Sequence, residues 1–130
     1  MRASYLDSSA VVKLVVAEPE SAALRVYLRR RRPLVSSALA RTEVLRALLP
    51  AGDLALSRGR DVLRRLDLVR INDRVLEAAG IVQPAHVRSL DAIHLITAQL
   101  LGGDLGQLVT YDDRMADAAT QMGLRTVSPA

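Results

Sequence analysis

Residues 2–14 read Arg-Ala-Ser-Tyr-Leu-Asp-Ser-Ser-Ala-Val-Val-Lys-Leu, and this stretch decides the fold. The run that carries Tyr5 and Leu6 predicts a strand that ends at Asp7, where an apolar helical pattern begins at once. In an open α/β sheet, ligand sites are built at the carboxyl ends of the strands. We therefore expect the Asp7 carboxylate to point into a crevice rather than into bulk water.

The rest of the chain alternates short strand signals with helical patterns. Strands are predicted at 34–36, 68–71, 108–110 and 126–127, and helices at 8–17, 21–31, 38–49, from 53 or 57 to 67, 73–82, 90–101, and from 112 or 113 to 122. Ser37, Asn72 and Ser89 are predicted to cap the helices that follow them. No hairpin signal joins two strands, so the connections are crossovers and the strands lie parallel.

The predicted fold class is therefore α/β. It is a three-layer α/β/α arrangement in which helices flank a short, mostly parallel central sheet of about four or five strands. The chain has 130 residues, and we expect them to form a single domain, 1–130.

Composition excludes several kinds of protein. Half of the residues are hydrophobic, which argues against disorder. With no cysteine, neither disulfides nor a thiolate metal site can form. The apolar stretch near the N-terminus is interrupted by charged residues, which argues against a signal peptide or a membrane span. We therefore expect a soluble cytoplasmic protein.

Arginine dominates the charge of the chain. The net charge is +4, and of the 18 basic residues only Lys13 is not Arg. This bias fits an anionic partner, because a guanidinium group binds phosphate in a bidentate manner, but it fits the codon usage of a GC-rich genome equally well. Three Tyr with no Phe or Trp argue against a surface that stacks bases, so a bound nucleic acid would be contacted through its backbone more than through its bases.

Two acidic residues in the first half of the chain are candidate metal ligands. Asp7 joins a strand to a helix, and its alternative role is that of an N-cap. Glu43 has small or apolar residues at i−4, i−3 and i+4, so its carboxylate lies on an apolar stripe. A buried carboxylate must be paired, neutral or bound to a cation. The alternative role of Glu43 is an ion pair with Arg41 or Arg46.

Two further acids begin helices in the second half of the chain. Asp91 lies in the first turn of a very apolar helix, where the helix dipole alone would favour it. His94 is interpreted as a core-edge histidine with one hydrogen bond rather than as a general base. Asp112 follows the strand that ends at Thr110, and either it or Asp113 caps the next helix.

The four acids gain a common explanation when they are considered together. Carboxylates within a few ångströms of one another repel, so such an arrangement needs a cation. Oxygen ligands, without Cys and without two His at ligand spacing, select Mg²⁺ or Mn²⁺ rather than zinc. We therefore predict that Glu43, Asp91 and Asp112 converge on Asp7 and hold a divalent metal.

Four segments resemble those of the PIN domain, and in particular those of the small VapC-type toxins of toxin–antitoxin pairs. They are 5–14 (YLDSSAVVKL), 36–43 (SSALARTE), 90–98 (LDAIHLITA) and 109–115 (VTYDDRM). Each segment alone is a weak signal, but their order and spacing extend the resemblance over essentially the whole chain.

The resemblance implies a PIN-like fold and a Mg²⁺- or Mn²⁺-dependent endoribonuclease. The four acids of the family match Asp7, Glu43, Asp91 and Asp112, which carry over as catalytic residues and metal ligands. The small hydroxyl residues of the family match Ser8 or Ser9 and Thr110, in a role that supports the ligands. Some members carry a further acid on the last helix, which Asp117 or Asp113 would match.

The resemblance also implies partners. It implies a homodimer and a cognate VapB-type antitoxin whose C-terminal segment lies across the acid groove, with DNA contacted only through that antitoxin. In the implied mechanism a metal-activated water attacks the phosphorus in line, leaving a 5′-phosphate and a 3′-hydroxyl. Arg41, Arg88 and Arg114 each lie next to an acid-bearing segment, so they are candidates for holding RNA or, alternatively, for neutralising the acids.

Three alternatives come from other classes of protein. A phosphoacceptor receiver domain also gathers Asp residues at strand ends, but it needs a lysine near its last strand, and Lys13 lies in the first helix. An inactive binding module would keep the PIN-like fold and only capture a partner. A structure-specific DNA nuclease needs further elements to grip branched duplexes, for which 130 residues leave little room.

Overall fold

Parallel strands alternate with helices through the computed structural model, which describes residues 2–130. The strands in this part of the chain are β1 (Ala3–Leu6), β2 (Leu34–Ser37), β3 (Asp67–Val69), β4 (Leu105–Val109) and β5 (Thr126–Val127). The helices are α1 (Ser8–Val15), α2 (Ser21–Leu28), α3 (Ala40–Leu48), α4 (Asp53–Arg64), α5 (Asp73–Gly80), α6 (Ser89–Gln99) and α7 (Asp113–Gln121). All four strand pairings are parallel, which confirms the predicted fold class.

The strand order β3-β2-β1-β4-β5 puts β1 in the centre of the sheet. From β1 the chain moves outward through β2 to β3, and it then returns to the other side of β1 to form β4 and β5. The direction of the order therefore reverses between β1 and β4, whose last residues, Leu6 and Val109, are register partners. Connections leave such a point in opposite directions, which opens a crevice at the carboxyl ends of the two strands.

The core lies on both faces of the sheet because neighbouring strand residues point to opposite sides. On one face, Leu6 and Val109 pack with apolar residues of α1, α2, α3 and α4. On the other face, Tyr5 and Leu108 pack with apolar residues of α6 and α7, while α5 packs against α6. The three layers that the sequence predicts are therefore present.

Several helix boundaries differ from the predictions for identifiable reasons. Ser37 ends β2 rather than capping a helix: its hydroxyl accepts a hydrogen bond from the Leu39 N–H at 3.1 Å, and α3 begins only at Ala40. Ser89 is the first residue of α6, which has no side-chain cap. The predicted cap at Asn72 is present, because its side chain accepts from the N–H of Val75 at 3.0 Å.

Helix length also bears on the predicted absence of a membrane span. The longest described helix is α4, with 12 residues. It ends at Arg64 rather than at the predicted Asp67, because Asp67 belongs to β3 and pairs with Val35 of β2. Crossing a bilayer takes about 20 apolar residues. No helix within residues 2–130 is long and apolar enough for that.

Candidate metal and active site

Asp7 lies in the crevice between β1 and β4 and is only 3% exposed. As the N-cap of α1, its Oδ1 accepts hydrogen bonds from the N–H of Ala10 at 3.1 Å and from the hydroxyl of Ser9 at 2.6 Å. Its Oδ2 accepts from the hydroxyl of Thr110. No Lys, Arg or His within residues 2–130 lies within 4.0 Å of this carboxylate.

The electrostatic state of Asp7 follows from these contacts. Burial raises the pKa of Asp7 above its ordinary value, while the hydrogen bonds from Ser9, Thr110 and Ala10 act in the opposite direction. A desolvated carboxylate that is held in place by three donors is oriented but not neutralised. Such a group gains from a cation placed at the mouth of the crevice.

Glu43, in the first turn of α3, is held by two donors. Its Oε1 accepts a hydrogen bond from the hydroxyl of Ser8 at 2.7 Å and lies 2.6 Å from Nε2 of His94. Partial burial acts to raise the pKa of Glu43, but the hydrogen bonds from His94 and Ser8 outweigh it and the pKa is lowered. Glu43 is therefore a carboxylate at neutral pH, with its Oε2 accepting no hydrogen bond from residues 2–130.

His94 connects Glu43 to the centre of the sheet. It is 2% exposed, and its Nδ1 lies 2.7 Å from the hydroxyl oxygen of Tyr5. Burial raises the pKa of Tyr5, so the phenol keeps its proton and can donate a hydrogen bond to Nδ1. When Nδ1 accepts this bond, the ring hydrogen is on Nε2, which then donates a hydrogen bond to Glu43.

One expectation about this region is wrong, and one alternative is ruled out. His94 is a buried bridge between β1 and α3 rather than a core-edge residue with one hydrogen bond. The alternative role of Glu43 does not hold, because Glu43 pairs with neither Arg41 nor Arg46. Both arginines are exposed on α3, while Glu43 turns inward towards the sheet. The signal for the bridge was present but weak: a tyrosine and a histidine on apolar faces both need a buried polar partner.

Asp91 and Asp112 lie at the starts of α6 and α7 and share one arginine. Asp112 is the N-cap of α7 and accepts from the backbone N–H of Arg114 at 2.9 Å. Nε of Arg88 donates to Oδ2 of Asp91 at 3.0 Å, and its Nη2 donates to Oδ2 of Asp112 at 3.4 Å. The Arg88 side chain is 62% exposed, so both ion pairs are in contact with solvent and are weakly held.

Thr110 links two of the four acids directly. Its hydroxyl donates to Asp7 and accepts from the backbone N–H of Asp112 at 3.1 Å. The hydroxyl of Ser9 supports the same turn, since it accepts from the N–H of Tyr111 at 3.1 Å. All three predicted hydroxyl residues, Ser8, Ser9 and Thr110, therefore donate to one of the predicted acids.

The predicted convergence of all four acids is incomplete in this arrangement. Within residues 2–130, no three His, Asp or Glu side chains lie close enough together to hold a metal ion as they stand. In this arrangement the guanidinium of Arg88 supplies the positive charge beside Asp91 and Asp112, while Glu43 is held by Ser8 and His94. The donor set still fits a hard dication, because it consists of carboxylate oxygens and those of Glu43 Oε2 and Asp91 Oδ1 accept no hydrogen bond within these residues.

The guanidinium groups of the other two predicted arginines form no ion pair with the four acids. Arg114 borders a cavity of about 310 Å³ that is also lined by Arg88, Asp91 and Asp117. Arg41 lies beside a different cleft, with Arg60 and Arg64, and contacts none of the four acids. Of the three candidates for holding RNA, Arg88 alone pairs with predicted acids, and the RNA-binding roles remain predictions.

Removing the Arg88 charge is expected to tighten divalent metal binding. Because the guanidinium competes with a dication for Asp91 and Asp112, Arg88→Gln should bind Mn²⁺ several-fold more tightly than the unaltered chain. Isothermal titration calorimetry measures the change, with Arg74→Gln as the charge-matched control, because Arg74 is exposed and forms no ion pair with the described residues. An unchanged or weaker Mn²⁺ affinity would contradict competition.

The fold and this site define an α/β protein with carboxylates at a topological switch point. The family model described as PIN domain matches residues 4–121. Ribonuclease VapC46 of Mycobacterium tuberculosis is 61% identical over 130 residues, which cover 100% of both chains. Ribonuclease VapC35 of the same species is 41% identical over 129 residues, covering 96% of each chain. The chain belongs to the PIN-domain family and, within it, to the VapC-type ribonucleases, as the sequence motifs predict.

Solved structures share the fold at low sequence identity. A toxin–antitoxin complex from Klebsiella pneumoniae contains a chain with a TM-score of 0.75 at 23% identity, with 98% of both chains covered. Mycobacterium tuberculosis VapC20, described as a sarcin–ricin loop cleaving toxin, has a TM-score of 0.79 at 15% identity, with 98% of this chain and 100% of that chain covered. These likenesses confirm the predicted PIN-like architecture.

Family membership also excludes the receiver-like phosphoacceptor. Lys13, the only lysine in the sequence, lies in α1 and pairs with Glu18 at 3.5 Å and with Glu20 at 3.2 Å, so it does not supply the lysine that such a domain needs near its last strand. PIN-domain ribonucleases are generally metal-dependent, which agrees with the oxygen-only donor set.

Proposed function

We propose that this chain is a Mg²⁺-dependent endoribonuclease, the toxin of a type II toxin–antitoxin pair, and that residues 1–130 act as one PIN-like domain in the cytoplasm. The observation that carries the proposal is the buried Asp7 carboxylate at the switch point, oriented by Ser9 and Thr110 and without a cationic partner within residues 2–130. The 61% sequence identity to Ribonuclease VapC46, which extends over the whole of both chains, supports RNA as the substrate.

Asp7, Glu43, Asp91 and Asp112 are the residues that would hold Mg²⁺, or Mn²⁺ in its place. A bound dication supplies an activated water and stabilises the leaving oxygen in phosphodiester hydrolysis. The protein contributes orientation: Thr110 and Ser9 hold Asp7, and Ser8 and His94 hold Glu43. Because Arg88 pairs with Asp91 and Asp112, it must give way to the metal and is then available to an RNA phosphate.

The proposed partners are the RNA substrate, a second copy of the chain and a VapB-type antitoxin that carries the DNA contact. The solved Klebsiella pneumoniae toxin–antitoxin complex, whose fold this chain shares, supports an antitoxin partner. The cavity next to Asp91 and Asp117 is also lined by Arg88 and Arg114, whose guanidinium groups are suited to hold a phosphate-bearing group beside the acids.

Metal-dependent cleavage tests the proposal directly. Purified protein should cleave end-labelled RNA in Mg²⁺ or Mn²⁺ and leave products with a 5′-phosphate, whereas excess EDTA should stop cleavage. Restoring activity by adding metal back to the same sample is the control. Equal cleavage with and without EDTA would reject the metal mechanism, and products with a cyclic phosphate would reject attack by water.

The second candidate is an inactive PIN-fold binding module. The observation that favours it is the pairing of Arg88 with Asp91 and Asp112, which already neutralises half of the acid set. Under this alternative, neither the unaltered chain nor Arg88→Gln would cleave RNA in Mg²⁺ or Mn²⁺, yet both would still capture the antitoxin.

A further inference from the structure

A second charged surface lies at the edge of the sheet opposite to the acids. A cleft of about 280 Å³ is lined by four arginines: Arg25 and Arg29 of α2, Arg32 from the following loop, and Arg65 just after α4. We call this group the arginine cleft. Its floor includes Leu34, the first residue of β2, so the cleft lies at the amino end of that strand. The four acids, in contrast, follow strands or lie in the first turn of helices at the carboxyl edge.

The charges of the arginine cleft are not balanced within the described part of the chain. None of the four guanidinium groups lies within 4.0 Å of a carboxylate of residues 2–130, and no acidic residue lines the cleft. Elsewhere, Arg64 and Arg88 each have such a partner. Four exposed like charges around one opening repel one another and attract an anion.

The lining of the cleft indicates which kind of anion fits. Leu28, Leu34 and Leu66 are buried, and Leu14 and Val62 are only partly exposed, so the charged groups of the cleft are its four guanidinium groups. The planar fork of their N–H groups matches phosphate oxygens. No aromatic side chain lines the cleft, so bases have nothing on which to stack.

We propose that the arginine cleft is a second RNA site, which binds backbone phosphates of the substrate away from the acids. This inference rests on the proposed ribonuclease function. A four-residue strand such as β2 spans about 13 Å, so an RNA chain must run along the side of the sheet to reach both places. The cleft therefore contributes to the binding of long RNA and contributes nothing to an oligonucleotide that occupies the acid site alone.

The test compares two triple variants that lose the same charge. Arg25→Gln, Arg29→Gln and Arg65→Gln together remove three of the four charges of the cleft. Arg46→Gln, Arg74→Gln and Arg125→Gln remove three exposed arginines outside it that form no ion pair with residues 2–130. Fluorescence anisotropy in EDTA measures the binding of a labelled RNA of about 40 nucleotides at several salt concentrations. Cleavage of an oligonucleotide of about eight nucleotides, comparable to a single site, is measured in Mg²⁺.

The cleft variant should bind the long RNA about tenfold more weakly than the control variant. The slope of log K against log salt should fall by about two, because each of three lost phosphate contacts contributes roughly 0.7 for a single strand. Its cleavage of the short oligonucleotide should equal that of the unaltered chain.

Equal affinity of the two variants for the long RNA would overturn the proposal. So would a cleft variant that loses cleavage of the short oligonucleotide by as large a factor as it loses affinity for the long RNA. Intact RNA binding with lost capture of purified antitoxin would also overturn it and assign the cleft to a protein. Failure of the proposed function looks different: the unaltered chain would then leave the short oligonucleotide uncut in Mg²⁺, whatever the binding measurements give.

Discussion

Asp7→Asn is expected to abolish RNA cleavage while leaving the chain folded. Asparagine keeps the Oδ1 acceptor for the Ala10 N–H and the Ser9 hydroxyl, and its amide can donate to the hydroxyl oxygen of Thr110. What it lacks is the negative charge. Mutation of a residue that only orients a metal ligand typically lowers metal affinity or activity by roughly 10–100-fold. Loss of a ligand itself should therefore lower the single-turnover cleavage rate by more than about 100-fold.

Stability provides the control for this variant. Burial raises the native-state pKa of Asp7 above its unfolded value, so its stabilising contribution is complete below the unfolded pKa and is lost as pH rises through the native one. At neutral pH, metal-free Asp7→Asn should therefore be at least as stable as the unaltered chain towards urea. The advantage should shrink below about pH 4, where Asp7 is protonated in both states.

Metal and a matched variant complete the experiment. Mg²⁺ or Mn²⁺ should raise the stability of the unaltered chain and should not raise that of Asp7→Asn, because a ligand stabilises only the state that binds it. Asp53→Asn, which changes an exposed acid at the start of α4, should leave cleavage unchanged. Full activity in folded Asp7→Asn would remove Asp7 from the mechanism.

His94→Leu is expected to weaken metal binding and cleavage together, although His94 is not one of the proposed ligands. The substitution removes the Nε2–H that holds Glu43 and leaves the buried Tyr5 hydroxyl without its partner. An orphaned buried hydroxyl costs about 1–3 kcal/mol of stability. Release of the Glu43 carboxylate should lower Mn²⁺ affinity by roughly 10–100-fold, as loss of a ligand-orienting residue does.

His94→Gln separates orientation from stability. Its amide nitrogen lies at about the reach of Nε2 and can donate to Glu43, but it does not restore the acceptor that Tyr5 uses. We expect this variant to lose stability and to recover most of the Mn²⁺ affinity, measured by calorimetry well below the unfolding temperature. If both variants bind Mn²⁺ as tightly as the unaltered chain, His94 supports only the core.

Local signals explain what could be predicted from the sequence. The site around Asp7 is predictable because β1, Asp7 and the start of α1 are adjacent in the sequence. The order and spacing of the four family motifs add the positions of the other three acids. The ends of helices are harder to predict. At α4, for example, the apolar helical pattern continues to Asp67, although Asp67 pairs with Val35 in the sheet.

Partners that are distant in sequence could not be predicted in this way. Tyr5 and His94 are 89 residues apart, and Arg88 reaches Asp112 across 24 residues. Periodicity says that a residue faces inward, but which residue it meets depends on how the crossovers place α6 against the sheet. For the same reason, the sequence does not show that Arg88 forms ion pairs with Asp91 and Asp112, two of the four acids that are predicted to share a cation.

The hydrogen bond between Thr110 and Asp7 joins residues that are 103 positions apart in the chain. Asp7 is therefore synthesised near the beginning of translation and Thr110 near its end. When only β1, β2 and β3 have left the ribosome, the nascent chain contains Asp7 and Glu43 but neither Thr110 nor Asp112. Most of the chain is therefore synthesised before the crevice around Asp7 can form, and no fragment that stops short of β4 contains that crevice.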